Sequence, residues 1–113
     1  MAELDKVNRT GKDFEFLITG DIEIPNDKFN DIMTPNSYPS ILVMLDRGYY
    51  YEIEGDRVYY SWEPPGIQMT FNQEIPYSKA KQIADEVVNN ILATGQHAEL
   101  LELDSSQLYQ FDS

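Results

Sequence analysis

Four runs of apolar and aromatic residues, 41–45, 49–53, 58–62 and 67–71, follow one another with only three or four positions between them, and each gap holds a glycine, Gly48, Gly55 or Gly66. Connections this short close antiparallel hairpins, whereas parallel pairing needs a crossover of about a dozen residues or more. The segment therefore predicts a four-stranded antiparallel meander.

Turn chemistry predicts its register. Asp46, Arg47 and Gly48 suit a three-residue loop, a type I turn followed by a left-handed glycine. That loop sets Leu45 opposite Tyr49, Val43 opposite Tyr51 and Ile41 opposite Ile53. Gly55 and Asp56 then read as a two-residue turn, which sets Ile53 against Val58, Tyr51 against Tyr60 and Tyr49 against Trp62. These side chains share one face, the predicted core, with Trp62 as its terminal anchor. The opposite face pairs Glu54 with Arg57, Glu52 with Tyr59 and Tyr50 with Ser61. The run 41–45 is continuously apolar, the pattern of a strand shielded on both sides.

Before the meander, residues 13–19 alternate Phe14, Phe16 and Ile18 against Glu15, a half-buried strand, and 22–24 reads as a short return strand. Residues 25–40 contain three prolines and read as a long loop with one helical turn near 29–33. After it, Ala80, Ile83, Ala84, Val87, Val88, Ile91 and Leu92 recur at helical spacing. Ser78 is the expected N-cap and Gly95 the C-terminal stop. Residues 98–103 read as a last strand. The expected fold is α+β: an antiparallel meander, one long helix in the C-terminal half packed on one face, and a final strand. It forms a single domain, 1–113, with 1–12 and 105–113 loosely ordered, although Leu108, Tyr109 and Phe111 offer the tail docking residues.

Composition narrows the function. The 113 residues hold 42% hydrophobic residues and eight tyrosines at a mean hydropathy of -0.47, which suits a folded unit with a polar surface. No cysteine is present, so disulfides and thiolate chemistry are excluded. Eight basic against twenty acidic residues give a net charge of -12. Such a charge repels phosphate backbones and anionic headgroups, which argues against nucleic-acid and membrane partners. No apolar run approaches the roughly 20 residues of a membrane span, and a cytoplasmic location is expected.

No catalytic, metal or cofactor constellation emerges, and an enzyme is not expected. The lone histidine, His97, follows the helix stop in a turn. Asp21, Glu23 and Asp27, or Asp104 and Asp112, are too loosely spaced for a metal cage. Glu52 and Glu54 lie two apart on one strand face, without a cleft between them. What remains is a polar and aromatic sheet face. Tyr50, Glu52, Glu54 and Tyr59 on it, with Glu63 beyond Trp62, are the expected partner-binding residues, joined by the loop 27–39. Tyrosine brings contact area and a hydroxyl at little rotamer cost, and carboxylates between tyrosines suit Lys or Arg on a partner. A second expectation is a non-catalytic regulatory domain with a ligand pocket between helix and sheet, lined by Tyr51, Tyr60 and Trp62. Oligomeric state is not legible.

The stretch SWEPPG at 61–66, a strand-length spacer, and IADEVVNNILATGQHAEL at 83–100 together resemble the Imm74 family of bacterial immunity proteins. The resemblance covers roughly the C-terminal half and does not extend before Tyr49. The family motif maps onto Trp62, Glu63, Pro64 and Pro65, and onto Gly95. The resemblance implies a small antitoxin of a polymorphic toxin system that neutralises its cognate toxin by direct binding. The acidity suits occlusion of a basic groove.

Overall fold

A computed structural model describes residues 9–46, 48–63 and 66–104, the side chains of Glu63 and Asp104 excepted. Arg47, Pro64, Pro65 and the expected tail residues Leu108, Tyr109 and Phe111 therefore lie outside the described residues. The architecture is α+β: one six-stranded antiparallel sheet, open at both ends, with a long helix on one face and a final strand.

The strands are β1 (Phe14–Thr19), β2 (Ser40–Leu45), β3 (Gly48–Ile53), β4 (Asp56–Glu63), β5 (Gly66–Phe71) and β6 (Glu99–Asp104). The helices are a four-residue α1 (Phe29–Ile32), preceded by a 3-10 turn at Asn26–Lys28, and the long α2 (Tyr77–Ala93). Spatial order is β2-β3-β4-β5-β1-β6. The predicted meander is thus β2 to β5, and β1 is an interior strand between β5 and β6. Its alternation fits that place, because Phe14, Phe16 and Ile18 are buried beneath the helix while Glu15 and Thr19 face outward. No strand forms at 22–24; Ile22 drops into the core instead.

Both hairpin registers differ from expectation. Leu45 pairs with Gly48, Val43 with Tyr50 and Leu42 with Tyr51, so the first turn has two residues and β2 is rotated by one position. Leu42 and Met44 therefore share the inner face with Tyr49 and Tyr51, and Ile41, Val43 and Leu45 face outward. The second turn is Glu54–Gly55, with Ile53 opposite Asp56, Glu52 opposite Arg57 and Tyr51 opposite Val58. Glu54 has φ 46 and Gly55 φ 86, the left-handed pair that a two-residue hairpin turn demands. The shift here is two residues, so every side chain of β3 and β4 keeps its expected face.

Gly66 has a role beyond a turn. It pairs with Thr19 across β5 and β1, and a Cβ there would lie 1.8 Å from the Ile18 carbonyl oxygen. Only glycine lets β5 approach β1 so closely.

The α2 stripe Ala80, Ile83, Ala84, Val87, Val88 and Ile91 is buried against Phe16, Ile18, Val58, Met69 and Phe71 in one continuous core. Leu92 lies off that stripe and is exposed. The helix begins at Tyr77, with extended Pro76 as its N-cap rather than Ser78, and no side chain caps it. The Tyr77 amide instead donates to the Arg9 carbonyl, and Thr10 bridges Pro76, which ties the described N-terminal residues to the helix start. Gly95, at φ 92, ends the helix as expected.

The connection from β1 to β2 is fastened to α2. Asn90 Nδ2 donates to the carbonyls of Ile32 and Thr34 at 3.2 and 3.0 Å, and the Ser37 amide donates to Glu86. Burial works against the Glu86 charge, but hydrogen bonds from Ser37 and Gln82 outweigh it and leave its pKa lowered. Met33, fully buried, accepts the Tyr60 hydroxyl at its carbonyl. These contacts hold α1 over the corner of the sheet that α2 does not reach.

Candidate functional site

Both helices cover one face of the sheet, and no described outward-facing strand residue is buried. On that outer face β3 and β4 bring three of the expected residues together. Tyr50 and Tyr59 have ring centroids 5.3 Å apart, Tyr59 is exposed, and Glu52 stands opposite Arg57. The Arg57 guanidinium carbon lies 5.7 Å from the Tyr50 ring centroid, a cation–π distance. The pairing expected from sequence, Glu52 with Tyr59 and Tyr50 with Ser61, is replaced by this arrangement because the turn lies one residue earlier, which shifts the pairing by two.

The remaining expected residues stand apart. Glu54 occupies the hairpin turn, where its carbonyl and that of Ile53 accept from Lys79 Nζ at 3.0 Å. Lys79 also meets Asp56 Oδ2 at 2.6 Å, and so pins the turn to α2. Glu63 ends β4, four residues beyond Tyr59 and opposite Gly66. A strand rises about 3.3 Å per residue, so Glu63 is roughly 13 Å from the tyrosine pair. Farther along the outer face, Glu15 accepts Gln68 and Thr70 side chains.

The inner corner differs from the expected core. Trp62 points to the helix side of the sheet as predicted but is 48% exposed; the Phe29 ring of α1 lies beside it, with centroids 6.4 Å apart. Phe29 also meets Tyr49 edge-on at 5.9 Å and stacks near Tyr51 at 6.4 Å. Beside these rings opens a hollow of about 510 Å³, lined by Ile24, Asn26, Asn30, Leu42 and Met44 with Phe29, Tyr49, Tyr51 and Trp62. It occupies the corner beside α1, and Tyr60 lines a separate hollow of about 310 Å³ with Leu45, Gly48, Tyr49 and Tyr59.

The phenols here are structural donors. The Tyr51 hydroxyl donates to Asn30 Oδ1 at 2.6 Å and Tyr60 to the Met33 carbonyl at 2.7 Å. Burial raises Tyr49; burial and the adjacent Tyr49 raise Tyr51 to about 12; burial with Tyr51 and Tyr49 raises Tyr60 well above its ordinary value. A general acid or base works best with a pKa near the operating pH, and these shifts run the other way. Among the described residues no group of three or more His, Asp or Glu is placed to hold a metal ion, and no helix is long and apolar enough to cross a membrane.

Compared with protein-family models, curated proteins and solved structures, the chain matches none.

The sequence predicts the strand at 41–45 but not its exposure at the sheet edge. Its Ile41, Leu42, Met44 and Leu45 are 64, 38, 70 and 52% exposed, although an unbroken apolar run reads as a strand covered on both faces. The strand lies at the sheet edge, with nothing described beyond it. The run itself was the signal, because apolar residues on both sides of an uncovered strand call for a cover.

Proposed function

We propose that this chain is a small acidic protein of the immunity or antitoxin type, acting in the cytoplasm by stoichiometric binding to a basic protein toxin, without catalysis. The observation that carries the reading is the Tyr50–Tyr59 pair beside Glu52 on a sheet face opposite both helices, in a chain of net charge -12. Exposed aromatics at a patch centre supply the desolvated contact area of binding hot spots. Glu52 and the negative charge of the whole chain steer a cationic partner. The resemblance of Trp62, Glu63, Pro64 and Pro65 to the Imm74 motif supports the same reading.

The test is co-expression with the product of the adjacent upstream gene. The expected result is toxicity of that product alone, rescue with this chain, and a complex that Tyr59→Ala weakens by about thirtyfold or more, the range of a hot-spot residue. A harmless neighbour, or rescue without a complex, overturns the proposal.

A second reading is favoured by the aromatic hollow of about 510 Å³, a volume within the range of small-molecule sites. In it the chain is a non-catalytic ligand-binding domain. Trp62 is the only tryptophan and lines the hollow, so its fluorescence reports occupancy directly. A ligand at about 100 times its dissociation constant stabilises the fold by about 2.7 kcal/mol, which a thermal-shift screen detects.

A further inference from the structure

The edge strand β2 carries a surface that the acidic binding face does not explain. An edge presents a row of backbone donors and acceptors to solvent, and chains ordinarily blunt it with lysine, proline or inward-pointing charge. β2 reads SILVML, with no charge and no proline over six residues, and is exposed on both faces. Another strand added to the same sheet satisfies that backbone row and sets its own side chains beside those of β2 on both faces.

We propose that two copies of this chain join through antiparallel β2–β2 pairing about a two-fold axis centred on Val43. The strand is complementary to itself in that register. Val43 meets Val43 of the second copy, Leu42 meets Met44, and Ile41 meets Leu45, so every apolar side chain faces an apolar side chain. The nearest charge, Asp46, falls opposite Ser40. An axis perpendicular to the sheet preserves its faces. The joined twelve-stranded sheet carries both α2 helices on one side and both Tyr50–Tyr59 pairs on the other, leaving the proposed toxin-binding face open.

Charge selects this occupant over a basic strand. Lys or Arg side chains added along β2 meet no carboxylate within the strand, whereas a second copy brings an equally neutral seam. Each copy nevertheless carries -12, so the two repel at long range. Added salt screens that repulsion. Self-pairing therefore tightens as salt rises, while capture of a basic toxin on the outer face weakens.

Sedimentation and light scattering of the full chain, from micromolar to millimolar and at low and high salt, test the proposal. The expected result is a rise from 13.1 kDa to twice that mass, favoured by salt, with amide exchange in β2 slowing as concentration rises. Val43→Lys places two cations together at the axis and is expected to weaken the dimer by about thirtyfold or more, with an unchanged circular dichroism spectrum. Ile41→Lys, at the most exposed outward position of β2, is the second variant in case the first misfolds. A monomer throughout overturns the proposal, as does a dimer that survives the substitutions. Protection of β2 independent of concentration also overturns it, by placing a segment of the same chain on the edge. Tyr59→Ala is expected to leave the dimer intact, so loss of self-pairing and loss of toxin binding separate.

Discussion

β2 and β6 close the same sheet at its two ends, each six residues long, and their side chains treat the edge differently. β6 carries Glu99 outward and Glu102 inward. Glu102 is fastened there, accepting Arg9 Nη1 at 2.9 Å and the Tyr77 hydroxyl at 2.6 Å. An incoming strand at that edge meets acids on both faces. β2 carries apolar residues on both faces, and its inner side borders the hollow beside α1 rather than the start of a long helix. The lesson is that edge position alone does not make an association site. The charge placed on the edge, and the support beneath it, decide whether it stays closed.

The largest effects test that difference in support. Phe16, fully buried in β1 beside β6, is expected to cost about 3–5 kcal/mol as Phe16→Ala. Phe29, the half-buried prop beneath β3 and β4, is expected to cost about half as much as Phe29→Ala. Urea denaturation measures both; equal losses would show that the two ends of the core are equally built.

Next in size is the acid of the closed edge. Glu102→Leu deprives Arg9 and Tyr77 of the carboxylate they share in a pair only about a fifth exposed, and the expected cost is about 2 kcal/mol by chemical denaturation. It also makes β6 resemble β2. If inward charge is what closes this edge, the variant gains concentration-dependent mass that the parent chain lacks when Val43→Lys blocks β2.

The contrast also explains which parts of the fold were legible in the sequence. The α2 stripe and the alternation of β1, β4 and β5 each distinguish a covered side from an open one, so their faces followed directly from residue type. β2 offers no such distinction. With Ile41, Leu42, Val43, Met44 and Leu45 all apolar, a one-residue slip costs its pattern nothing, and turn residues alone had to set the register. Asp46, Arg47 and Gly48 looked like a loop of three where the chain makes one of two. The second hairpin misled in another way, because Glu54 takes a left-handed position usually given to glycine, asparagine or aspartate. That slip of two kept Tyr50, Glu52 and Tyr59 on their expected face but exchanged their partners. Trp62 was read as core from its side of the sheet, since nothing in local sequence tells how far a distant helix reaches.

A smaller effect comes with alkali, at both ends of the molecule. Tyr77 beside β6 is raised from 10.0 to about 12, by burial first and then by its hydrogen bond and proximity to Glu102. Tyr51, paired to Leu42 of β2, is raised to about 12 by burial and Tyr49. A phenol whose pKa is higher in the folded state stabilises fully below the unfolded value of 10.0 and loses that contribution as pH rises through about 12. Stability is therefore expected to fall between pH 10 and 12. Tyr77→Phe and Tyr51→Phe should each make that fall shallower while costing about 1 kcal/mol at neutral pH. Chemical denaturation across this range provides the measurement, and an unchanged slope in both variants counts against burial as the cause.

The smallest expected effect on stability is the sharpest test of the edges. Leu45 on β2 and Leu101 on β6 are outward-facing leucines of nearly equal exposure, 52 and 48%. Neither joins the core, so Leu45→Thr and Leu101→Thr should each change monomer stability by no more than about 0.5 kcal/mol. Their effects on association should differ. Leu45 faces Ile41 of a second copy across the β2 seam and loses that contact as threonine, so the dimer weakens. Leu101 packs beside Leu17, its partner in β1, on an edge already guarded by Glu99 and Glu102, and leaves the dimer unchanged. Paired sedimentation runs at one concentration decide between the edges: equal weakening by both would mean that any exposed leucine suffices, and that the charge pattern of β6 closes nothing.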